Sequence, residues 1–231
     1  EVGAIVTSIA LHTGHFVEDI MVQYSHSRPW MLLTEGGTNT YVSSAMPQKR
    51  NPGLLNTTRR NASAIISQAV GTIIQAHNIT PGMADPKEVR PNKAMVVATT
   101  ALLRDLERIL GSLVVSQERA LEELNSDWTA SQELADLLMR KYKVPFREGH
   151  HFASEVVDHA RANNIKPGEF PFAEAANIYA KSMKDSATAV RVIPMTESEF
   201  RAALNPVSII KSRATAGGPQ PEEMQKMIVN A

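Results

Sequence analysis

The residues best equipped for chemistry lie in one run, Ser43-Ser44-Ala45-Met46-Pro47-Gln48-Lys49-Arg50-Asn51-Pro52, entered through Gly36-Gly37-Thr38-Asn39-Thr40-Tyr41-Val42. Two hydroxyls, an ammonium, a guanidinium and two carboxamides in so short a span need partners or water, so the run is expected to be a surface loop. Asn51 is a preferred N-cap residue and Pro52 suits a first helical position, so the loop should hand over to a helix there. Lys49 beside unsatisfied N–H groups and the positive end of a helix dipole is a natural anion site. The ordinary alternative is a solvated, capped loop. His12 and His15, three residues apart on a helical pattern, could share a metal. No third ligand of suitable spacing follows, and we read them as structural. His150 and His151 are read as residues of a helix's first turns.

The elements around this run read as helices. Val2, Ile5, Ile9, His12 and Phe16 follow helical spacing and define the expected buried stripe of a first helix, ended by Pro29. From Leu54 to His77 a long helix is predicted, with Ile66, Val70, Ile73, Ile74 and His77 on one face. Residues 78–87 break it with Pro and Gly. Met95, Thr99, Leu102, Leu106, Ile109 and Leu113 then form an a/d seam. Val96, Leu103, Leu110 and Val114 widen it, so a helix running to Val114 should be buried on more than one side. Beyond Asn125-Ser126-Asp127-Trp128 the elements shorten. Capping boxes are expected at Thr129/Gln132 and Thr196/Glu199. Helices are expected from about Arg147 to Ala162 and from Phe172 to Ala189. No strand pattern of note appears.

The prediction is an all-α protein. Residues 1–127 form part of a long antiparallel helical bundle carrying the 36–52 loop, and 128–231 form a small helical C-terminal domain. The 231 residues allow a sizeable core, and a formal net charge of zero gives no basic face for nucleic acid. There is no cysteine, which removes disulfides and thiolate chemistry and fits a cytoplasmic enzyme. No apolar run approaches membrane-spanning length. A chain opening on Glu1-Val2-Gly3 inside a helical pattern reads as the C-terminal part of a longer protein.

Ser43 to Pro52 resembles the signature loop of the fumarase/aspartase superfamily, G-S-S-x-x-P-x-K-x-N-P, with Val42 in place of its Gly. Ala135 to Lys141, Val144 to His150, Leu204-Asn205-Pro206-Val207-Ser208 and Gly217-Gly218-Pro219 resemble the C-terminal domain of argininosuccinate lyases. Gln48 fits the same branch.

The resemblance implies a C–N lyase that eliminates fumarate from an N-substituted aspartate, argininosuccinate first, without a cofactor or a metal. It makes Ser43 the base and gives the substrate carboxylate to Lys49 and Asn51. Ser44 and Met46 then contribute loop geometry or backbone contacts. The paired Gly36 and Gly37 suggest a loop that closes over substrate. In argininosuccinate lyases a Q-E-D-K-E stretch contacts the amine half of the substrate. Here only Asp85, Lys87 and Glu88 match it, around Pro86, which makes Lys87 a candidate substrate contact. An aminocarboxylate lyase of the ethylenediamine-N,N'-disuccinate type is therefore the alternative reading. A non-catalytic, crystallin-like structural protein is a third. The superfamily builds its sites from three stretches on three subunits of a homotetramer. This chain carries one of them, so it is expected to assemble but to be inactive by itself.

Overall fold

The computed structural model describes residues 1–75, 77, 90–184 and 190–230, and divides into two compact units, Glu1–Arg119 and Ala120–Ala231. The first unit is built on three long helices, α1 (Val2–Gln23), α2 (Gly53–Gln75) and α3 (Arg90–Ser112), with α2 packed against both of the others.

The α3 seam is buried at Met95, Thr99, Leu102 and Ile109, but Val96, Leu103, Leu110 and Val114, expected to widen it, are exposed, because α3 packs on its neighbours along one stripe only. The faces of α1 and α2 differ from expectation. In α1 the inward stripe is Val6, Ala10, Thr13, Val17 and Ile20, while Val2 and Ile5 face outward. In α2 it is Leu54, Leu55, Thr58, Ala62, Ile65 and Ala69, while Ile73 and Ile74 are 64% and 67% exposed. The reason lies in side-chain size. Ala10, Ala62 and Ala69 share one cluster with Val6, Ile65, Met95 and Leu102. Small residues at a crossing let helix backbones approach closely, so they claim the interior. Larger apolar residues on the next stripe are left outside.

The helix does not run to Val114. Leu113–Val115 forms a strand, β4, pairing antiparallel with β1 (Met31–Leu33) in the register Met31↔Val115, Leu32↔Val114, Leu33↔Leu113. Adjacent β-branched residues favour this extended course. Two- and three-residue strands are too short to show alternation, which is why no strand was expected. A second ribbon joins β2 (Tyr41–Val42) to β3 (Arg50–Asn51). The all-α architecture is otherwise as predicted: each ribbon is an ornament on the helices.

Helix α4 (Gln117–Ser126) leads into the second unit, which comprises α5 (Gln132–Tyr142), α6 (Phe146–Ala162), α7 (Phe172–Ser182), α8 (Glu197–Ala203), α9 (Pro206–Ser212) and α10 (Pro221–Asn230). Its core gathers Leu134, Leu138, Phe152, Phe170, Tyr179 and Phe200. Trp128 packs edge-on against Phe170 and donates its indole N–H to the Ile165 carbonyl at 3.3 Å. Gly149 lets α6 lie against α5, since a Cβ there would stand 3.0 Å from the Ala135 Cα.

The Thr196/Glu199 capping box forms in full. The one expected at Thr129/Gln132 does not: the chain turns once from Trp128, and α5 starts behind Ser131 with no side-chain cap. Helix α7 stops at Ser182, and residues 185–189 of the longer helix expected there lie outside the described residues.

Candidate functional site

The polar run forms a hairpin. Tyr41 pairs with Asn51 and Val42 with Arg50, which leaves residues 43–49 as its loop. Val42, a residue with restricted side-chain rotation, suits this extended strand position and needs no left-handed backbone. Across the loop mouth the Ser43 N–H donates to the Lys49 carbonyl at 3.2 Å, and the Lys49 N–H donates to Met46 at 3.0 Å.

Two further N–H groups, of Ala45 and Met46, donate to Ser43 Oγ at 3.3 and 3.2 Å. A hydroxyl oxygen that accepts two fixed donors is electrostatically prepared to carry negative charge, because hydrogen bonds to an ionised oxygen are the stronger ones. The hairpin thus supplies Ser43 with its own small oxyanion cradle.

The loop's far end departs from the predicted cap. Asn51 is a strand residue, and the Pro52 carbonyl accepts the first helical bond, from Asn56 N–H at 3.0 Å. The Leu54 N–H is taken by the Asn39 carbonyl at 3.2 Å, so one free donor of the helix start is already used.

Gly36 and Gly37 form a fixed turn with φ of +92° and +57°, conformations that L side chains rarely adopt. Gly36 N–H donates to Thr40 Oγ1 at 2.9 Å, and Asn39 Nδ2 reaches Thr34 and, at 3.3 Å, Ser112 Oγ on α3. Arg108 on α3 also grips Thr38 Oγ1.

Lys49 and Asn51 line one cavity of about 300 Å³ together with Gln48, Arg50, Glu35 and Tyr24. Arg50 is committed: its Nε meets Glu35 at 3.1 Å and its Nη1 donates to the Pro47 carbonyl at 2.6 Å. Lys49 has no ion-pair partner among the described residues, which leaves the cavity one uncompensated positive charge suited to a carboxylate. Burial pushes the Tyr24 phenol pKa above its ordinary value, opposed by the Leu33 N–H that donates to its oxygen at 3.0 Å. Tyr24 is therefore a neutral wall.

Ser43 is half-buried, whereas Ser44 and Met46 are exposed, and all three sit on the loop outside this cavity's lining. The structure therefore joins Lys49 and Asn51 in one cavity and ties Ser43 to Lys49 through the backbone. Lys87, with Asp85 and Glu88, lies outside the described residues. His12 Nδ1 contacts the Ser8 carbonyl at 2.7 Å, and His151 faces Glu155 at 3.8 Å; both are local helix contacts.

Sequence reasoning missed Arg60 and Arg108. They line a second cavity beside the hairpin, and only the adjacent Arg59-Arg60 after the loop hinted at it.

Comparisons with known proteins align the chain along its length. The family model "Argininosuccinate lyase C-terminal" matches residues 128–211. Argininosuccinate lyase of Methanosarcina acetivorans is 28% identical over 234 residues, covering 99% of this chain and 44% of that protein. That of Methanothermobacter thermautotrophicus is 25% identical over 220 residues, covering 94% and 45%. The chain thus spans less than half the length of these relatives. A variant of EDDS lyase solved with bound fumarate superposes with a TM-score of 0.80 at 21% identity, over 99% of this chain and 44% of that one. EDDS lyase in complex with formate gives 0.77 at 20%, with the same coverage.

Proposed function

We propose, on the premise that this chain belongs to the argininosuccinate lyase branch of the fumarase/aspartase superfamily, that the full-length protein is a C–N lyase releasing fumarate from argininosuccinate. The observation that carries the mechanism is the pair of backbone N–H groups on Ser43 Oγ. The difficult step removes a proton from the carbon next to a carboxylate, which gathers negative charge as an aci-carboxylate. The C–N bond then breaks and the electron pair leaves with the amine.

Ser43 takes the proton, and its two N–H donors offset the cost of forming an alkoxide. Lys49 and Asn51, facing one cavity, hold the carboxylate on which charge accumulates. Ser44 and Met46 shape the loop, Met46 through the N–H it gives to Ser43. The chemistry requires no metal or organic cofactor.

The site is completed by other subunits of a cytoplasmic homotetramer. Outward apolar residues on α1, α2 and α3, among them Ile5, Ile73, Ile74 and Leu110, support that assembly, because soluble monomers rarely leave such patches in water. Residues 1–231 alone are expected to associate but to release no fumarate.

Ser43→Ala in the full-length protein should cut turnover by orders of magnitude while substrate still binds, read as fumarate absorbance and a binding isotherm. Near-normal turnover would remove Ser43 as the base. The Asp85-Pro86-Lys87-Glu88 stretch favours a second reading, with an ethylenediamine-N,N'-disuccinate type of substrate. In that case Lys87 substitutions should change which amine is accepted more than they change the fumarate half-reaction.

A further inference from the structure

Arg50 bridges the loop that carries Ser43 and the structure around it. Its own backbone is pinned, because Arg50 pairs with Val42 in the ribbon. Its guanidinium then acts in two directions. Nε donates to Glu35 Oε2 at 3.1 Å, and Nη1 donates to the Pro47 carbonyl at 2.6 Å.

On one side the bridge ends on fixed ground. Glu35 lies between two fastened neighbours: the Thr34 N–H donates to the Ser112 carbonyl of α3 at 2.8 Å, and the Gly36 N–H donates to Thr40 Oγ1 at 2.9 Å. On the other side it ends on the loop. Pro47 is the second residue of a turn closed by the Lys49 N–H on the Met46 carbonyl at 3.0 Å, a position that the fixed φ of proline suits. Met46 opens this turn and closes the one before it, in which the Ala45 and Met46 N–H groups donate to Ser43 Oγ. An unbroken chain of contacts thus runs from α3 through Glu35, Arg50 and the turn of Pro47 to the oxygen of Ser43.

The side chain of Glu35 is 67% exposed and that of Arg50 37%, so the ion pair by itself stabilises little. Its effect is directional: it sets where the guanidinium stands against the Pro47 carbonyl. A rigid fork can hold a carboxylate and a carbonyl at once, whereas an ammonium is a single point on a flexible stem. We propose that Arg50, braced on Glu35, is a positioning residue for Ser43. It fixes the turn that aims the two N–H donors at Ser43 Oγ and does not bind substrate through its charge. The inference rests on the fumarate-releasing reading, in which Ser43 takes the proton. In such a site about 1 Å of misplacement costs on the order of a hundredfold in rate.

The test is steady-state kinetics of the full-length protein on argininosuccinate. Arg50→Lys, which keeps the charge and loses the fork, should lower kcat roughly ten- to hundredfold and move KM by less than about twofold. Glu35→Gln, an exposed and mild change that leaves Arg50 in place without its brace, should lower kcat roughly three- to tenfold, again with KM nearly constant. A substrate-binding Arg50 gives the opposite pattern: lysine would restore most of the activity, and Glu35→Gln, by releasing a cation into the cavity, would lower KM. Either of those results would overturn the inference.

A second measurement does not depend on turnover. In hydrogen exchange read by peptide mass spectrometry, Arg50→Lys should speed exchange across residues 43–49 roughly tenfold, with α1 and α2 exchanging as before. Unchanged exchange in the loop would show that Arg50 fastens nothing there. Faster exchange spread equally through α1 and α2 would mark a role in the fold at large, and it too would overturn the inference. Should the wild-type protein release no fumarate, the lyase reading fails, and the exchange pattern still decides for or against the brace.

Discussion

Glu133 should be among the costliest charged residues of the C-terminal unit to alter. Its side chain is only 7% exposed and meets two guanidinium groups. Arg140 donates a hydrogen bond to Oε1, and Arg213 stands 3.0 Å from Oε2 as a charge contact outside hydrogen-bond geometry. Glu133→Gln keeps the shape and removes the charge.

A charge-assisted hydrogen bond of about 1.5–3 kcal/mol becomes a neutral one of about 0.5–1.5, a loss of about 1 kcal/mol. At the second oxygen the ion pair disappears and a buried amide is left poorly matched to Arg213, which adds about 1–2 kcal/mol. The total, about 2–3 kcal/mol, stays below the roughly 3–5 typical of breaking a fully buried pair. That ordering is reasonable, because the arginine side chains are themselves 50% and 32% exposed and partly solvated.

The sequence holds two tryptophans, Trp30 in the first unit and Trp128 in the second. In a Trp30→Phe background the fluorescence of buried Trp128 therefore reports urea unfolding of the C-terminal unit alone. At a slope of about 1–3 kcal/mol per molar, the midpoint should fall by about 1 M or more. A fall under about 0.3 M would show that solvent already satisfies the two arginines and that Glu133 is not an anchor.

Two further outcomes are expected. Lys49→Ala in the full-length protein should raise KM and lower kcat, each by on the order of tenfold or more, because its charge acts on the carboxylate before and during proton removal; a change in KM alone would confine Lys49 to binding. Hydrogen bonds from Lys141, from the Thr196 N–H and from Tyr142 lower the Glu199 carboxyl pKa to about 2. Its contribution is therefore present above the unfolded value near 4.5 and is lost as pH falls through about 2, so Glu199→Gln should flatten the acid side of the stability profile between those values.

What was legible in the sequence was whatever had a local cause. The α3 seam and the Thr196/Glu199 box are decided within a few residues. Ser43, Lys49 and Asn51 stand in one uninterrupted motif, so their grouping needed no tertiary knowledge.

The inward faces of α1 and α2 were not legible. Each helix has apolar residues on more than one side, and periodicity cannot tell which side meets the alanines of its neighbour. Asn51 misled for a related reason: Asn-Pro suits a cap, but pairing with Tyr41 draws it into a ribbon. The cavity of Arg60 and Arg108 depends on how α2 meets α3, and neither helix pattern contains that information.

The anchoring of the hairpin bears on how the loop can work. Its base is fastened by the Tyr41–Asn51 pair, by the Asn39 carbonyl on Leu54, and by Arg108 and Ser112 on α3. The glycine turn, which the sequence suggested as a hinge, is locked within the same fastening. Any displacement that engages substrate must then be confined to the span between Val42 and Arg50, pivoting on that base. Seven residues pivoting on two fixed ends behave less like a swinging door than like a short lever, with a small stroke and an aim set by its mounting. A residue such as Arg108 can then govern the alignment of Ser43 without ever approaching the reacting carbon.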